Sequence, residues 1–278
     1  MARLRWVKTA GEVKAGKDSN PEFLSSTVRS IRGVFETDPA IVKALLPKPL
    51  EPCDEPRGQL TASQVTIHVN ADLQIEIGSA IFGVDARYDG QRGLYLLTMP
   101  MTTEAAVVGG RETYGEPKKI AEIGFELGEA KRGDALRATV TRMGIPYMEV
   151  AGTVGEELGA RTFSEYAWCF KASPSCEPDR MLDHDPLLVR LEWKHTQTRA
   201  ARMEGEISLR DSPFDPVADV PIRRVLRMDY EEGSTQSNGR VLRSVPADWF
   251  LPFLHGRYDE PGVQGIEIQA GFEGRGHT

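Results

Sequence analysis

Val65-Thr66-Ile67-His68-Val69-Asn70 alternates apolar and polar side chains, and Leu73-Gln74-Ile75-Glu76-Ile77 resumes the alternation after a short break. A period of two marks a half-buried strand, because successive side chains leave opposite faces of the backbone. Val84, Ala86 and Tyr88 keep that period up to Asp89-Gly90, and Leu94 and Leu96 continue it beyond. Asp-Gly favours the two-residue turn of a hairpin, where both central positions need positive φ. This region therefore predicts consecutive strands, the last two closed by a hairpin.

Outward from that region, more strands follow. Arg29 to Glu36 alternates loosely and predicts a strand. Asp38-Pro39 then opens a helix, with Asp38 as its cap and Pro39 at the first helical position. Ile41, Val42, Leu45 and Leu46 give it an apolar face, and Pro47 and Pro49 end it. Thr103 to Val108 predicts a short helix ahead of Gly109-Gly110. Further strands are expected over Ile120 to Leu127, Leu136 to Met143, Tyr147 to Val154, Leu188 to His195 and Glu206 to Arg210. Val225 to Tyr230 fits strand or helix, and Glu231 to Gly239, rich in Gly, Ser, Gln and Asn, is expected as a surface loop. Residues 1–28 are polar and irregular and are expected to form an arm, leaving residues 29–278 as one domain. Many strands and few helices suggest a barrel-like or sandwich core.

Composition narrows the function classes. The 278 residues are 40% hydrophobic and 27% charged, with a net charge of −7. That balance argues against a nucleic-acid binder, which carries a basic stripe. No apolar run of about 18 residues is present, so no membrane-spanning helix is expected. Charges interrupt Met1-Ala2-Arg3-Leu4-Arg5-Trp6-Val7-Lys8 before a signal-peptide core can form, so a cytoplasmic protein is expected. Cys53, Cys169 and Cys176 form no paired motif, and His68, His184, His195, His255 and His277 are scattered. Neither a disulfide framework nor a metal or other cofactor is expected.

The chemistry is expected in Gly109-Gly110-Arg111-Glu112-Thr113-Tyr114-Gly115-Glu116-Pro117-Lys118-Lys119. Glycines and a proline constrain this backbone between an apolar helix and a strand. A lysine amine is a nucleophile only when neutral, and its ordinary pKa lies near 10.4. Burial or a second cation lowers that value. The neutral amine then attacks a ketone, and the protonated imine serves as an electron sink. If Lys118 and Lys119 lie in a strand, however, they point to opposite faces. Desolvation must then activate Lys118, and Lys119 becomes a structural ion-pair partner instead.

Gly110-Arg111-Glu112 followed by Pro117-Lys118-Lys119 resembles the acetoacetate decarboxylase superfamily. Glu104 to Val108 before it fits the same pattern. Phe35-Glu36-Thr37-Asp38 through Leu46-Pro47-Lys48-Pro49-Leu50-Glu51, Glu76-Ile77-Gly78-Ser79-Ala80-Ile81, and Asp211 through Pro216 with Asp219 and Pro221 extend the likeness over about residues 33 to 225. The resemblance implies an α+β fold with a large, mostly antiparallel, barrel-like sheet and few helices. It implies Lys118 as the imine-forming lysine, Lys119 as the neighbour that depresses its pKa, and Glu76 as a cavity carboxylate. Arg29, with Arg32 as the next choice, is expected to meet the substrate carboxylate. Gln64 is the nearest polar residue where the family's decarboxylases carry a second glutamate. The implied activity is decarboxylation of an acetoacetate-like β-keto acid. A pyruvate-dependent aldolase-dehydratase, or a non-catalytic keto-acid binder, is the alternative. The small keto acid is the expected partner, and a homo-oligomer the expected assembly.

Overall fold

The computed structural model describes residues 4–18, 24–68 and 74–268. Twelve strands dominate it: β1 (Leu24–Glu36), β2 (Glu51–Pro52), β3 (Arg57–His68), β4 (Gln74–Tyr88), β5 (Gln91–Met101), β6 (Lys118–Ile120), β7 (Glu122–Glu126), β8 (Ala135–Arg142), β9 (Ile145–Glu157), β10 (Arg161–Lys171), β11 (Leu187–Leu209) and β12 (Arg224–Ser244). The helices are α1 (Ala10–Asp18), α2 (Pro39–Leu45) and α3 (Glu104–Tyr114), with short 3₁₀ turns near the C-terminus. Among the described residues no helix is long and apolar enough to cross a membrane.

Local chemistry explains most of these elements. Asp38 caps α2 by accepting the Ala40 amide at 2.8 Å, as its oxygen is placed to do at a helix start. Asp89 and Gly90 both take positive φ, 50° and 74°, and join β4 to β5 in the hairpin that the dipeptide predicts. α3 runs through Gly109-Gly110 instead of stopping before them, and ends at Gly115 in the left-handed conformation with φ 74°. β1 begins at Leu24, so strand pairing starts inside the segment expected as an arm.

All twelve strands form one sheet, ordered β10-β5-β4-β3-β1-β12-β11-β9-β8-β7, with β2 beside β4 and β6 beside β5. Most pairings are antiparallel, as expected. The barrel-like sheet is not what the chain forms. β10 pairs with β11 along its length but touches β5 only through Ala167↔Leu94 and Trp168↔Tyr95, in parallel. That contact completes a ring of seven strands, while β9, β8 and β7 branch away along the far half of β11. The 23-residue β11 serves both parts, since Leu187–Gln197 pairs with β10 and Ala201–Leu209 with β9.

The branch supplies the dry side of the ring. Ile31, Phe35, Leu60, Ala62, Phe82 and Val84 share one buried cluster with Leu136, Ala138, Val140, Met148 and Val150 of β8 and β9. Burial of each large side chain contributes roughly 1.5–3 kcal/mol. Residues of the opposite parity, including Ser30, Ser63 and Ser79, turn to the inside of the ring. Glu231 to Gly239 is not a loop: it lies inside β12, paired to β1 on one side and β11 on the other. Glu231, Glu232, Ser234, Thr235 and Ser237 of this segment belong to the wall of the internal cavity.

Candidate active site

Side chains from every strand of the ring, and from β6, line a cavity of about 190 Å³. β5 is the key to how Lys118 enters it. One edge of β5 is shared between β10, at Leu94 and Tyr95, and β6, which pairs in parallel at Met99↔Lys118 and Met101↔Ile120. Lys118 thus fills the gap where β10 and β5 part. Its side chain is 14% exposed, and Nζ lies 2.8 Å from Glu116 Oε2, itself 7% exposed.

The turn before β6 aims both groups at the cavity. Pro117 donates no amide hydrogen bond, but its carbonyl accepts from Met99 N at 3.0 Å and fixes the turn against β5. Arg111 donates to the carbonyls of Lys118 at 3.0 Å and Arg257 at 2.8 Å, tying α3 to β6. Gly110 is buried directly beneath the pair. A Cβ there would stand 2.6 Å from both Cδ and Nζ of Lys118. The glycine of the Gly-Arg-Glu motif is therefore a matter of space for the lysine.

Lys119 points the other way, as the two-residue period requires. Its Nζ donates to Asp215 Oδ1 at 3.0 Å and to the carbonyls of Phe214 at 3.0 Å and Tyr258 at 3.2 Å. Asp259 lies 3.4 Å away, and Arg142 binds the same two aspartates. Buried charges persist only when paired in this way. Lys119 is outside the cavity, held in a structural ion-pair cluster, and its expected place beside the Lys118 amine is corrected accordingly.

Three other expected positions also face away. The cavity wall on β1 is Ser26, Val28, Ser30 and Arg32. Arg29 has the opposite parity and donates to the Tyr230 hydroxyl at 2.9 Å and the Gly128 carbonyl at 2.8 Å. Arg32, the next choice, is the arginine that lines the cavity. On β3, Ser63 and Val65 face inward and Gln64 between them does not. On β4, Ile77, Ser79 and Ile81 face inward, and Glu76 is exposed outside. In each case a strand reverses its side chains every residue, so a one-position difference decides the face.

The cavity instead holds polar groups that sequence reasoning did not single out. Ser79, Ser63 and Ser30 stand side by side across β4, β3 and β1, and Glu231 of β12 pairs opposite Ser30. Arg32 ion-pairs with Glu165 and, at 3.4 Å, with Glu231. His195 Nε2 lies 3.1 Å from the other oxygen of Glu165, and its Nδ1 lies 3.1 Å from Thr235 Oγ1. Burial alone would raise the Glu165 carboxyl, but the Arg32 charge and the His195 and Arg32 hydrogen bonds hold it well below the usual range. Burial opposes the Arg32 charge in turn, yet Glu165 and Glu231 raise its pKa further. Arg32 is thus neutralised by the protein itself.

This arrangement can form an imine on Lys118 and move a proton through Glu116. Glu116 was legible in principle. It sits two residues before Lys118, and the tight turn at Pro117, closed by Lys118 N donating to the Glu116 carbonyl at 2.8 Å, turns both side chains to the cavity.

The family model for acetoacetate decarboxylase matches residues 12–245. A curated acetoacetate decarboxylase from Ralstonia nicotianae is 32% identical over 206 residues, covering 69% of this chain and 76% of its own. One from Chromobacterium violaceum is 26% identical over 202 residues, with coverage of 69% and 76%. Among solved structures, the enduracididine biosynthesis enzyme MppR, complexed with the condensation product of pyruvate and imidazole 4-carboxaldehyde, has a TM-score of 0.64 at 15% identity, covering 80% of this chain and 90% of that one. The acetoacetate decarboxylase of Legionella pneumophila matches with a TM-score of 0.64 at 18% identity, with coverage of 88% and 93%.

Proposed function

Since the chain belongs to the acetoacetate decarboxylase family, we propose that it is a Schiff-base enzyme that joins a pyruvate-like 2-keto acid to an aldehyde through Lys118. The observation that carries this reading is the Lys118–Glu116 pair near one end of a long cavity. The β1 wall runs from Ser26 to Arg32, which at roughly 3.3 Å per residue is about 20 Å. Strand register sets Lys118 near the Ser30–Arg32 end, because Met99 beside it falls between the pairs Phe82↔Thr98 and Ser79↔Met101. A four-carbon keto acid, with bonds of about 1.5 Å, spans under a third of that length. The remainder accommodates a second reactant.

The steps follow from the groups present. Neutral Lys118 attacks the keto carbon, and water leaves as the imine forms. Glu116 takes a proton from the adjacent methyl group, and the electron pair moves into an enamine. The enamine carbon bonds to the aldehyde carbon, whose oxygen takes up the proton. Glu116 takes a second proton from the same carbon and passes it to the departing hydroxyl, which leaves as water, so that a carbon–carbon double bond forms and a conjugated iminium remains. A further water hydrolyses it, releasing the unsaturated keto acid and free Lys118. The hydroxyls of Ser30, Ser63 and Ser79 face this path and supply donors to the substrate oxygens.

Decarboxylation is the second reading, favoured by the curated names of the sequence relatives. It uses the same imine, but its first step expels carbon dioxide and requires no base. One experiment separates the two. The protein is incubated in D₂O with pyruvate, and separately with acetoacetate. Deuterium entering the pyruvate methyl group, with no carbon dioxide from acetoacetate, supports the aldol reading. Carbon dioxide and acetone from acetoacetate, without pyruvate exchange, overturns it in favour of decarboxylation. The cytoplasmic location and homo-oligomeric state expected from the sequence belong to this proposal and are checked by fractionation and sedimentation.

A further inference from the structure

A second cavity, of about 180 Å³, lies on the other side of the Glu116–Lys118 turn. It is bounded by the outward residues of β5, by the end of β10, by the turn around Val217, and by the C-terminal 3₁₀ helices. Its walls are largely aromatic and aliphatic. Phe170 lies between Tyr95, edge-on at 6.2 Å, and Phe250, stacked at 4.9 Å. Gly115 and Pro117 border it, whereas Glu116 and Lys118 face the first cavity.

Three charged side chains also line it, Asp215, Asp219 and Arg257, and Asp215 is already engaged by Lys119 and Arg142. Arg257 is 6% exposed. Its guanidinium donates to the carbonyls of Gly115 at 2.7 Å and Phe170 at 2.6 Å, and its Nε has no hydrogen-bond partner among the described residues. The ion pairs of the described residues include no carboxylate on Arg257. Arg111 is close enough to act on it as a second positive charge, and burial followed by that charge lowers the Arg257 pKa. The contrast with Arg32, Arg142 and Lys119 is plain, since each of those buried cations meets at least two acidic groups. A buried charge without a counter-charge is costly, and an anion delivered by a ligand would remove that cost.

We propose that this cavity is a binding site for a small aromatic monocarboxylate, whose carboxylate meets Arg257 and whose ring packs against Tyr95, Phe170 and Phe250. The size agrees: 180 Å³ is about six times the ~30 Å³ share of a liquid water, room for a single ring with one small substituent. Guanidinium and carboxylate match as a charge-assisted pair. The site is independent of the keto-acid chemistry on Lys118.

Benzoate is the probe, with benzyl alcohol as its uncharged counterpart, and titration calorimetry on the full chain as the readout. Saturable 1:1 binding of benzoate, at least tenfold tighter than benzyl alcohol and retained in Lys118→Ala, is the expected result. Arg257 also holds two backbone carbonyls, so its replacement risks the fold. Leu97→Trp fills the cavity from β5 and leaves Arg257 in place. A folded Leu97→Trp protein is expected to lose at least tenfold in benzoate affinity. Three outcomes would each overturn the proposal: no saturable benzoate binding by the wild-type protein, equal affinity for benzyl alcohol, or benzoate binding that vanishes in Lys118→Ala and survives in Leu97→Trp.

Discussion

Replacing Gly110 by alanine places a methyl group where Lys118 and Glu116 now sit. Cδ and Nζ of the lysine would both lie 2.6 Å from it, well inside contact distance. These are the far ends of flexible side chains, so they can move while the fold stays. Gly109, its neighbour in α3, is exposed, and a methyl group added there would meet nothing within 4 Å. Each substitution gains helix propensity, about 0.8–1 kcal/mol relative to glycine. Gly109→Ala keeps that gain. Gly110→Ala also disturbs a charged hydrogen bond of the kind that contributes about 1.5–3 kcal/mol, so it should fall by roughly that amount below Gly109→Ala. The effect on chemistry is larger, because a misplacement of about 1 Å can cost ~10²-fold in rate. Urea unfolding gives the stabilities, and the rate of borohydride-trapped adduct formation with pyruvate gives the chemistry. Gly109→Ala is expected to label at the wild-type rate and Gly110→Ala about a hundredfold more slowly. Labelling of Gly110→Ala within threefold of wild type would refute the packing argument.

Other perturbations test separate parts of the account. Lys119→Met breaks a buried ion-pair cluster and should destabilise the fold by about 3–5 kcal/mol, while the pH profile of Lys118 labelling in the folded protein stays in place; a shifted profile would mean that Lys119 acts on the amine after all. Glu116→Gln keeps the shape of the side chain and removes the base, so deuterium exchange into pyruvate should slow by about 10²–10⁴-fold, measured by proton NMR. The Glu165 carboxyl is held below its ordinary value of 4.5 by Arg32 and His195. A depressed carboxyl adds stability that is complete above the unfolded value and is lost as pH falls toward the folded one. Wild type should therefore lose more stability than Glu165→Gln between about pH 5 and about pH 3, followed by urea unfolding; parallel curves would contradict the assignment.

Periodicity carried much of this fold. The β4–β5 hairpin was legible because Asp89-Gly90 marks its turn chemically, and α2 because Asp38-Pro39 marks its start. β10 was missed, and Glu231 to Gly239 was misassigned, for a shared physical reason. The ring encloses a polar cavity, so its strands show hydroxyls and charges on a face that a core strand would make apolar. Ring closure was illegible, since it rests on two residue pairs between β10 and β5. At the site, the Gly-Arg-Glu and Pro-Lys-Lys segments led to Lys118, whose place at the cavity follows from β6. Arg29, Gln64 and Glu76 each lie one residue away from an inward-facing position. Motif matching does not resolve a single-residue offset, whereas the pleat turns it into the opposite face. Arg32, Glu165 and His195 come from three different strands, and only the ring brings them together.

The central claim is that a keto acid is held as an imine on Lys118. The most direct measurement is to incubate the protein with pyruvate, and separately with acetoacetate, reduce with borohydride, and map the added mass by peptide sequencing. The account predicts a reduced adduct on Lys118 and none in Lys118→Arg. An adduct confined to another lysine, or no adduct with either acid, would contradict it.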